Sequence, residues 1–493
     1  MSFLRRAPLQ LAKARCTRAY CSEIKLSQNR AGIALARPRL DYKAICDNVI
    51  SKTNNAINRK ASVDLHSMQT IVRDYNELNS AKRTLNSEKH LRAVLGDKIQ
   101  ESTQEKDFAT RDASISEASE VKKRIAVLED KVAALEESLL EFALQIPNDT
   151  HPNAPLGPES AAVTLSTHGP ELLPADSKRH HVEIGRKLNL FNLESGATVS
   201  GSSWAYFINE AALLEVALTN YAFSVAIRHG FSPVMTPDVV RKSFAERCGF
   251  NPRDEGDPPV SQMYHVRPNA SPSSTPSELV LTATAEIPIA GMFANDIYAG
   301  SLPHKVVGYG HAFRAEAGAS GADNRGIYRL HQFSKVELFA VTEGQESEAM
   351  MESMLQLQIS ILEGLGFPFR VLDMPTEELG ASAYRKYDIE AWMPGRGKWG
   401  EVTSLSNCTD FQARRLHIRY RPRFPLQADR GDRIHYAHTL NGTAAAIPRL
   451  IIALLENGAR FDAAGEVVGV CLPEILRPFW LGQQSSIISW GLP

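Results

Sequence analysis

From about Ser62 to Phe142 the chain has no proline and almost no glycine. Its second half carries apolar residues at Val121, Ile125, Leu128, Val132, Leu135, Leu139 and Phe142. Steps of four and three alternate, which lays one apolar seam along one side of a helix. Lys122, Lys123, Arg124, Glu129, Asp130, Lys131, Glu136 and Glu137 fill the other faces. Met68, Val72, Tyr75, Leu78 and Leu85 repeat the pattern less cleanly in the first half. The polar stretch from Gly96 to Thr110 is long enough to reverse the chain. The pattern therefore predicts a helical arm within residues 35–146, two antiparallel helices zipped along one seam. Such a coiled coil serves as a dimerisation or spacer device, and heptads by themselves specify no ligand. Basic residues on both halves, Arg83 and Lys122 among them, suit phosphate contacts and equally a solvated helical surface.

Pro147, Pro152, Pro155, Pro158, Pro170 and Pro174 then stop any helix and mark a linker over residues 147–178. Across residues 179–493 the period changes. Leu213 to Ile227 reads as an amphipathic helix, and short β-branched and aromatic runs, such as Val336 to Val341 and Arg370 to Leu372, alternate with helices. Irregular spacing without βαβ alternation predicts an α+β domain around a largely antiparallel sheet. The polar, Pro- and Ser-rich stretch from Asn251 to Glu278 reads as a surface insertion.

A chain of 493 residues exceeds a single hydrophobic core, which agrees with at least two domains. Its net charge of −1 confines any nucleic-acid surface to a local patch. Its six cysteines are scattered, with neither zinc-knuckle spacing nor a disulfide framework, so unpaired thiols are expected and no zinc. No uninterrupted apolar run approaches the roughly 20 residues that cross a bilayer, so no membrane partner is expected. At the N-terminus Arg5, Arg6, Lys13, Arg15 and Arg18 precede the first acid, Glu23, with Leu4, Leu9 and Leu11 interleaved. This is the composition of an organelle transit peptide over about residues 1–20, or of a basic tail.

Gly395-Arg396-Gly397-Lys398-Trp399-Gly400 fits the dinucleotide glycine fingerprint but lacks its context, because Glu401-Val402-Thr403-Ser404 reads as a strand where a helix should open. A hairpin turn is expected there. His180 and His181 read as ordinary surface residues. The informative block runs from Phe313-Arg314-Ala315-Glu316 to Arg329-Leu330-His331-Gln332-Phe333-Ser334-Lys335-Val336-Glu337, two strand-like ends around a Gly-rich, charged loop. On a strand Arg314 and Glu316 would share a face. A fixed guanidinium is the natural partner of a phosphate or carboxylate, although an isolated Arg is more often in a structural ion pair. Upstream stands Thr284-Ala285-Glu286; downstream, Asn441-Gly442-Thr443 precedes Arg449 at the start of an apolar helix, Leu450 to Leu455.

This ordered set resembles the three signature motifs of class II aminoacyl-tRNA synthetases, and in detail the bacterial and organellar seryl-tRNA synthetases. The arm, Ala211 to Glu215, Tyr387 to Glu390, Phe411 to Arg415, His438 to Asn441 and Leu472 to Glu474 extend the resemblance over nearly the whole chain after the leader. It implies an antiparallel-sheet class II catalytic domain, a homodimer, and ATP-dependent charging of tRNA(Ser) with L-serine in the mitochondrial matrix. By position, Arg314 and Arg449 would grip ATP phosphates, and Glu316 and Phe333 would hold adenine. Leu330, His331, Gln332, Val402 and Thr403 fall in the same ATP-binding stretches. Glu401 and Ser404 would hold Mg²⁺. Thr284, Ala285, Glu286, Arg314, Glu337, Asn441 and Thr443 fall where the family binds serine, and Arg83 and Lys122 where an arm would touch tRNA. Thr443 stands where bacterial members often have Ser, and Thr403 where a second Ser is usual. A non-catalytic paralogue that binds RNA, or a class II enzyme for another small amino acid, are the competing readings.

Overall fold

The computed structural model describes residues 35–250, 263–267, 278–299, 302–315, 325–422 and 434–491. The basic N-terminus, Glu316 and most of the stretch from Asn251 to Glu278 lie outside them. Two short helices, α1 (Tyr42–Asp47) and α2 (Val49–Asn58), lead into α3 (Leu65–Gln104) and α4 (Phe108–Leu144). At ~1.5 Å per residue α3 alone is about 60 Å long. Val121, Ile125 and Leu139 are buried along the expected seam. In α3 it is Ile71 that is fully buried, while Val72 is half-buried one position on. Lys82–Glu136, Lys89–Glu129, Arg124–Glu88 and Lys131–Glu77 ion pairs lace the two helices together.

The chain reverses more tightly than the polarity of Gly96 to Thr110 suggests. α3 continues through Gly96, because one glycine costs only about 1 kcal/mol against alanine. The turn is confined to Glu105, Lys106 (φ 59°) and Asp107. Asp107 then caps α4, accepting from Thr110 N at 3.2 Å and Thr110 Oγ1 at 2.6 Å.

The body is built on an eight-stranded sheet. In chain order its strands are β1 (Val163–His168), β2 (Ser232–Met235), β3 (His304–Phe313), β4 (Gln332–Thr342), β5 (Phe369–Asp373), β6 (Arg385–Met393), β7 (Lys398–Asn407) and β8 (His438–Ala446). In space they run β1-β5-β6-β7-β8-β4-β3-β2, antiparallel at each pairing except β2 on β3. β1 lies inside the stretch expected to be a linker. Prolines exclude a helix there but tolerate an edge strand, and Val163 to His168 pair with β5. The glycine fingerprint is the β6–β7 hairpin, with Gly397 at φ 66° and its N–H donating to Met393 O at 2.8 Å.

One face of the sheet is covered by α5 (His181–Lys187), α6 (Asn209–Arg228), α8 (Ser347–Leu365) and α10 (Ile447–Gly458), which share a core with Val336, Leu338 and Ala340 of β4. The other face carries α7 (Glu286–Met292) and α9 (Phe411–Leu416) over Phe339 and Val341. Among the described residues α6 is the one helix long and apolar enough to cross a membrane. Its Ala211, Leu214, Leu218, Tyr221 and Val225 are buried in the first core.

Candidate active site

Strand alternation places Phe333, Lys335 and Glu337 of β4 on the face that carries α7 and α9. Farther along, Phe339 and Val341 on that face are core; before them it turns polar and opens. Glu337 is 2% exposed and sits opposite Gly308 of β3 and Thr443 of β8. Gly308 and Gly310 let α7 approach β3: a Cβ on Gly308 would lie 2.5 Å from Ile289 Cδ1. This brings Thr284, Ala285 and Glu286 over the strand. Glu286 Oε1 accepts from Gln412 Nε2 at 2.6 Å and Asn441 Nδ2 at 3.0 Å, and Glu286 N donates to Thr284 Oγ1 at 3.3 Å. Burial and the neighbouring Glu337 push Glu286 up to about 7. Burial raises Glu337 too, opposed by the Lys335 ammonium 2.7 Å away and by Arg314. Two carboxylates beside buried hydroxyls make an end suited to a small ligand that carries a cation and a hydroxyl.

The other end is cationic. Arg314 leaves the end of β3 rather than lying within it, and its guanidinium carbon is 5.4 Å from the Phe333 ring centroid. Arg314 N donates to His331 O at 3.0 Å, and His331 Nδ1 is 2.9 Å from Arg314 O and 2.8 Å from the Tyr264 hydroxyl. His331 thus holds the backbone of Arg314. Leu330 is buried in the core, and Gln332 is exposed. Arg449, in the first turn of α10, reaches Glu401 Oε2 at 3.2 Å and donates to Glu401 O at 3.0 Å. Arg449 and Arg396 both lie over Tyr328, at 4.6 and 3.5 Å.

On β7, Val402 is an extra residue against β6, where Ile389 pairs with Thr403 and Glu390 with Glu401. Val402 and Thr403 both face the helix-covered core: Val402 is in its cluster, and Thr403 Oγ1 takes a bond from Gln358 Nε2 of α8 at 2.8 Å. Glu401 and Ser404 are therefore on the site face together, three residues apart. Burial opposes ionisation of Glu401, but Arg449, Lys386 and Arg314 outweigh it and hold the group down to about 2. Asp388, paired with Ser404 across the strands, is pushed up to about 7 by burial and by Glu401, despite Lys386 Nζ at 2.6 Å from its Oδ2. Its buried Oδ1 has no hydrogen-bond partner among the described residues. Carboxylates with an orphaned oxygen beside a hydroxyl fit a hard divalent cation such as Mg²⁺.

Gln412, Asp388, Lys335, Tyr328 and Arg396 are site residues that the sequence did not mark individually. For Asp388 a signal existed, since it lies in the Tyr387 to Glu390 stretch of the family resemblance and alternates on a strand with Lys386 just before it. Glu316 lies outside the described residues. Of the two histidines read as surface residues, His180 is half-buried and His181 is not at the surface. His181 is fully buried, its Nδ1 2.8 Å from Glu456 Oε1, and Glu456 Oε2 accepts from Arg396 N at 3.0 Å. Arg83 and Lys122 are exposed on the arm, and among the described residues neither joins the ion pairs that lace it.

The tRNA synthetase class II core domain family (G, H, P, S and T) matches residues 266–458, and the seryl-tRNA synthetase N-terminal domain family matches residues 40–150. The serine–tRNA ligase of Rubrobacter xylanophilus is 44% identical over 377 residues, 76% of this chain and 83% of the relative. The mitochondrial serine–tRNA ligase of Saccharomyces cerevisiae is 38% identical over 461 residues, 91% of this chain and 96% of the relative. Among solved structures, the seryl-tRNA synthetase of Pyrococcus horikoshii complexed with ATP superimposes with a TM-score of 0.77 at 33% identity, covering 89% of this chain and 98% of that one. With these matches over both the arm and the catalytic body, the chain belongs to the seryl-tRNA synthetase family of class II synthetases.

Proposed function

We propose that the chain activates L-serine with ATP and transfers the seryl group to tRNA(Ser) in the mitochondrial matrix. The observation that carries this reading is one sheet face with paired carboxylates and hydroxyls at one end and two arginines at the other, Arg314 close enough to act on both Glu337 and Glu401. At the first end Glu286 takes the serine ammonium, and Glu337, Thr284 and Thr443 bond its hydroxyl. A pocket built to bond a hydroxyl rejects alanine by ~10⁴-fold, because the buried groups would be left unpaired. At the second end Arg314 holds the α-phosphate and the substrate carboxylate together, Phe333 lies under adenine, and Arg449 holds the far phosphates.

A serine carboxylate oxygen attacks the α-phosphorus in line, forming the acyl–phosphate bond and expelling pyrophosphate. A terminal ribose hydroxyl of the tRNA then attacks the acyl carbon, and AMP leaves. Positioning and charge neutralisation by the two arginines lower both barriers without a dedicated protein base. Glu401, Ser404 and Asp388 would hold Mg²⁺, which supplies further neutralisation of phosphate charge when bound.

The same reading divides the chain into a transit peptide (1–20), a tRNA-binding arm (35–146), a connecting segment (147–178) and a catalytic domain (179–493). The basic leader and the relatives named as mitochondrial enzymes support the location. A homodimer is supported by the edge strand β2, where Met235 is 78% exposed beside exposed Val216 and Tyr206, around a cleft of about 530 Å³. Arg83 and Lys122 would meet tRNA phosphates.

Serine-dependent ATP–pyrophosphate exchange tests the proposal, using the chain from Cys21 onward with Arg314→Ala as control. Exchange with serine, little with alanine or threonine, and none in the control is expected. A folded dimer that exchanges with no amino acid would refute it and favour a non-catalytic RNA-binding role.

A further inference from the structure

We propose that Gln412 is a positioning residue for amino-acid activation, its amide fixing the Glu286 carboxylate so that one oxygen is left for the ammonium group of the substrate. The inference rests on the proposed serine-activating site and assigns a residue outside the set that touches substrate. Gln412 lies on α9 and is fully buried. Its Nε2 is 2.6 Å from Glu286 Oε1 and 3.2 Å from Cys248 O, and its Oε1 accepts from Thr439 Oγ1 at 2.7 Å.

Two acceptors on one side and a hydroxyl donor on the other leave the amide a single orientation. Flipping it would set its carbonyl oxygen against a carboxylate and a carbonyl. Asn441 Nδ2 donates to the same Oε1 at 3.0 Å. Both donors therefore meet one oxygen of Glu286, and Oε2 accepts no hydrogen bond among the described residues. The clamp is rigid because its parts come from separate elements: Thr439 and Asn441 from β8, Gln412 from α9, and Cys248 from the end of the helix Lys242–Arg247.

The clamp also acts on charge. Burial and Glu337 disfavour ionisation of Glu286, whereas the Gln412 bond favours it. A bond to the charged form lowers a carboxyl pKa, so losing Gln412 makes Glu286 harder to ionise. Serine binding would then weaken for two reasons, a misaimed oxygen and a smaller ionised fraction.

Gln412→Met keeps the length of the side chain and removes the donor. In pyrophosphate exchange KM for serine should rise on the order of 10- to 100-fold, the range for a lost hydrogen bond to a charged group. KM for ATP should be unchanged, and the acidic limb of kcat/KM for serine should move to higher pH. Thr439→Val leaves the glutamine but removes the hydroxyl that orients it, and should give a smaller rise in the same constant. It keeps the test open if the methionine variant does not fold. Wild-type serine KM and pH profile in either folded variant would overturn the inference. So would an equal loss for serine and ATP, which is the mark of a packing defect. Absence of exchange in the wild-type chain would instead overturn the reading of the site, and this inference with it.

Discussion

Arg59 is the place where the arm's base can be uncoupled from the body by one substitution. It ends α2, is 1% exposed, and donates to Asn148 O at 2.9 Å, Asp149 O at 3.3 Å, Thr150 Oγ1 at 3.4 Å and, more closely, Gly380 O. Asn148 continues the latch, its Nδ2 donating to Ser382 O and Cys408 O at 2.9 Å and Thr409 Oγ1 at 3.0 Å. Cys408 Sγ in turn receives Asn441 Nδ2 at 3.3 Å, so the latch ends one residue from the amino-acid site.

Arg59→Met keeps the apolar stem and deletes the guanidinium. Each bond from a charged donor contributes about 1.5–3 kcal/mol, and the two close bonds, to Asn148 O and Gly380 O, dominate. Relief of the desolvation of a buried cation offsets part of that sum, leaving a net loss of about 2–4 kcal/mol. Urea unfolding of the full-length chain measures it. Exchange and tRNA charging measured side by side give the functional half: charging should fall more than serine activation, because the arm loses its fixed angle while the cleft survives. Arg59→Lys, which keeps the charge but not the fork, should recover less than half of the stability. A change in stability under about 0.5 kcal/mol, the level of an ordinary surface substitution, would refute the reasoning, as would equal losses of the two activities.

Glu286→Gln should abolish serine-dependent exchange yet stabilise the fold at pH 8. The carboxyl is harder to ionise folded than unfolded, so the native state is favoured at low pH and loses that advantage as pH rises from about 4.5 to about 7. The gain at pH 8 is at most about 3 kcal/mol and should vanish near pH 4; thermal melts at both pH values check it. Asp388→Asn should raise the Mg²⁺ concentration for half-maximal exchange by roughly 10-fold or more, the cost of losing a group in or beside a metal's shell. An unchanged Mg²⁺ titration would remove Asp388 from that role. Arg83→Ala with Lys122→Ala should lower the slope of log affinity for tRNA against log salt by about 1–2 and leave exchange unchanged. Filter binding across a salt series decides it.

The arm was legible because a heptad is local: each of Val121, Ile125 and Leu139 is placed by its neighbours three and four residues away. Its reversal was legible only to within Gly96 to Thr110, because polarity marks where a helix can end, while packing against a partner decides where it does. The strands at Val336 to Val341 and Arg370 to Leu372 and the hairpin at Gly397 were legible from residue type and turn chemistry. The strand at Val163 to His168 was hidden, since prolines around it advertise only what cannot form. His181 was hidden for a different reason. Its partner Glu456 is 275 residues away, and two adjacent histidines carry no sign of which one a distant carboxylate will draw inward.

The site itself depends on a feature that residue type does not announce. Strand alternation alone puts Glu401 and Ser404 on opposite faces, and with them any shared ligand out of reach. The extra residue at Val402 restores a common face, and it is held there because Val402 is taken into the core while Thr403 is bonded to Gln358. β8 repeats the device one strand over. Ala444 is extra against β4, Ala444 and Ala445 are both core, and Thr443 before them stays opposite Glu337. Ala446 after them turns to the cleft that Arg449 lines. Two bulges on adjacent strands thus set the hydroxyl of Thr443 at the amino-acid end and the Arg449–Glu401 pair at the phosphate end on the same face. Small or β-branched core residues at both positions, Val402 and Ala444, are what make room for the extra residue. A charged or bulky side chain at either would push its strand back into register and turn half of the site toward the helices.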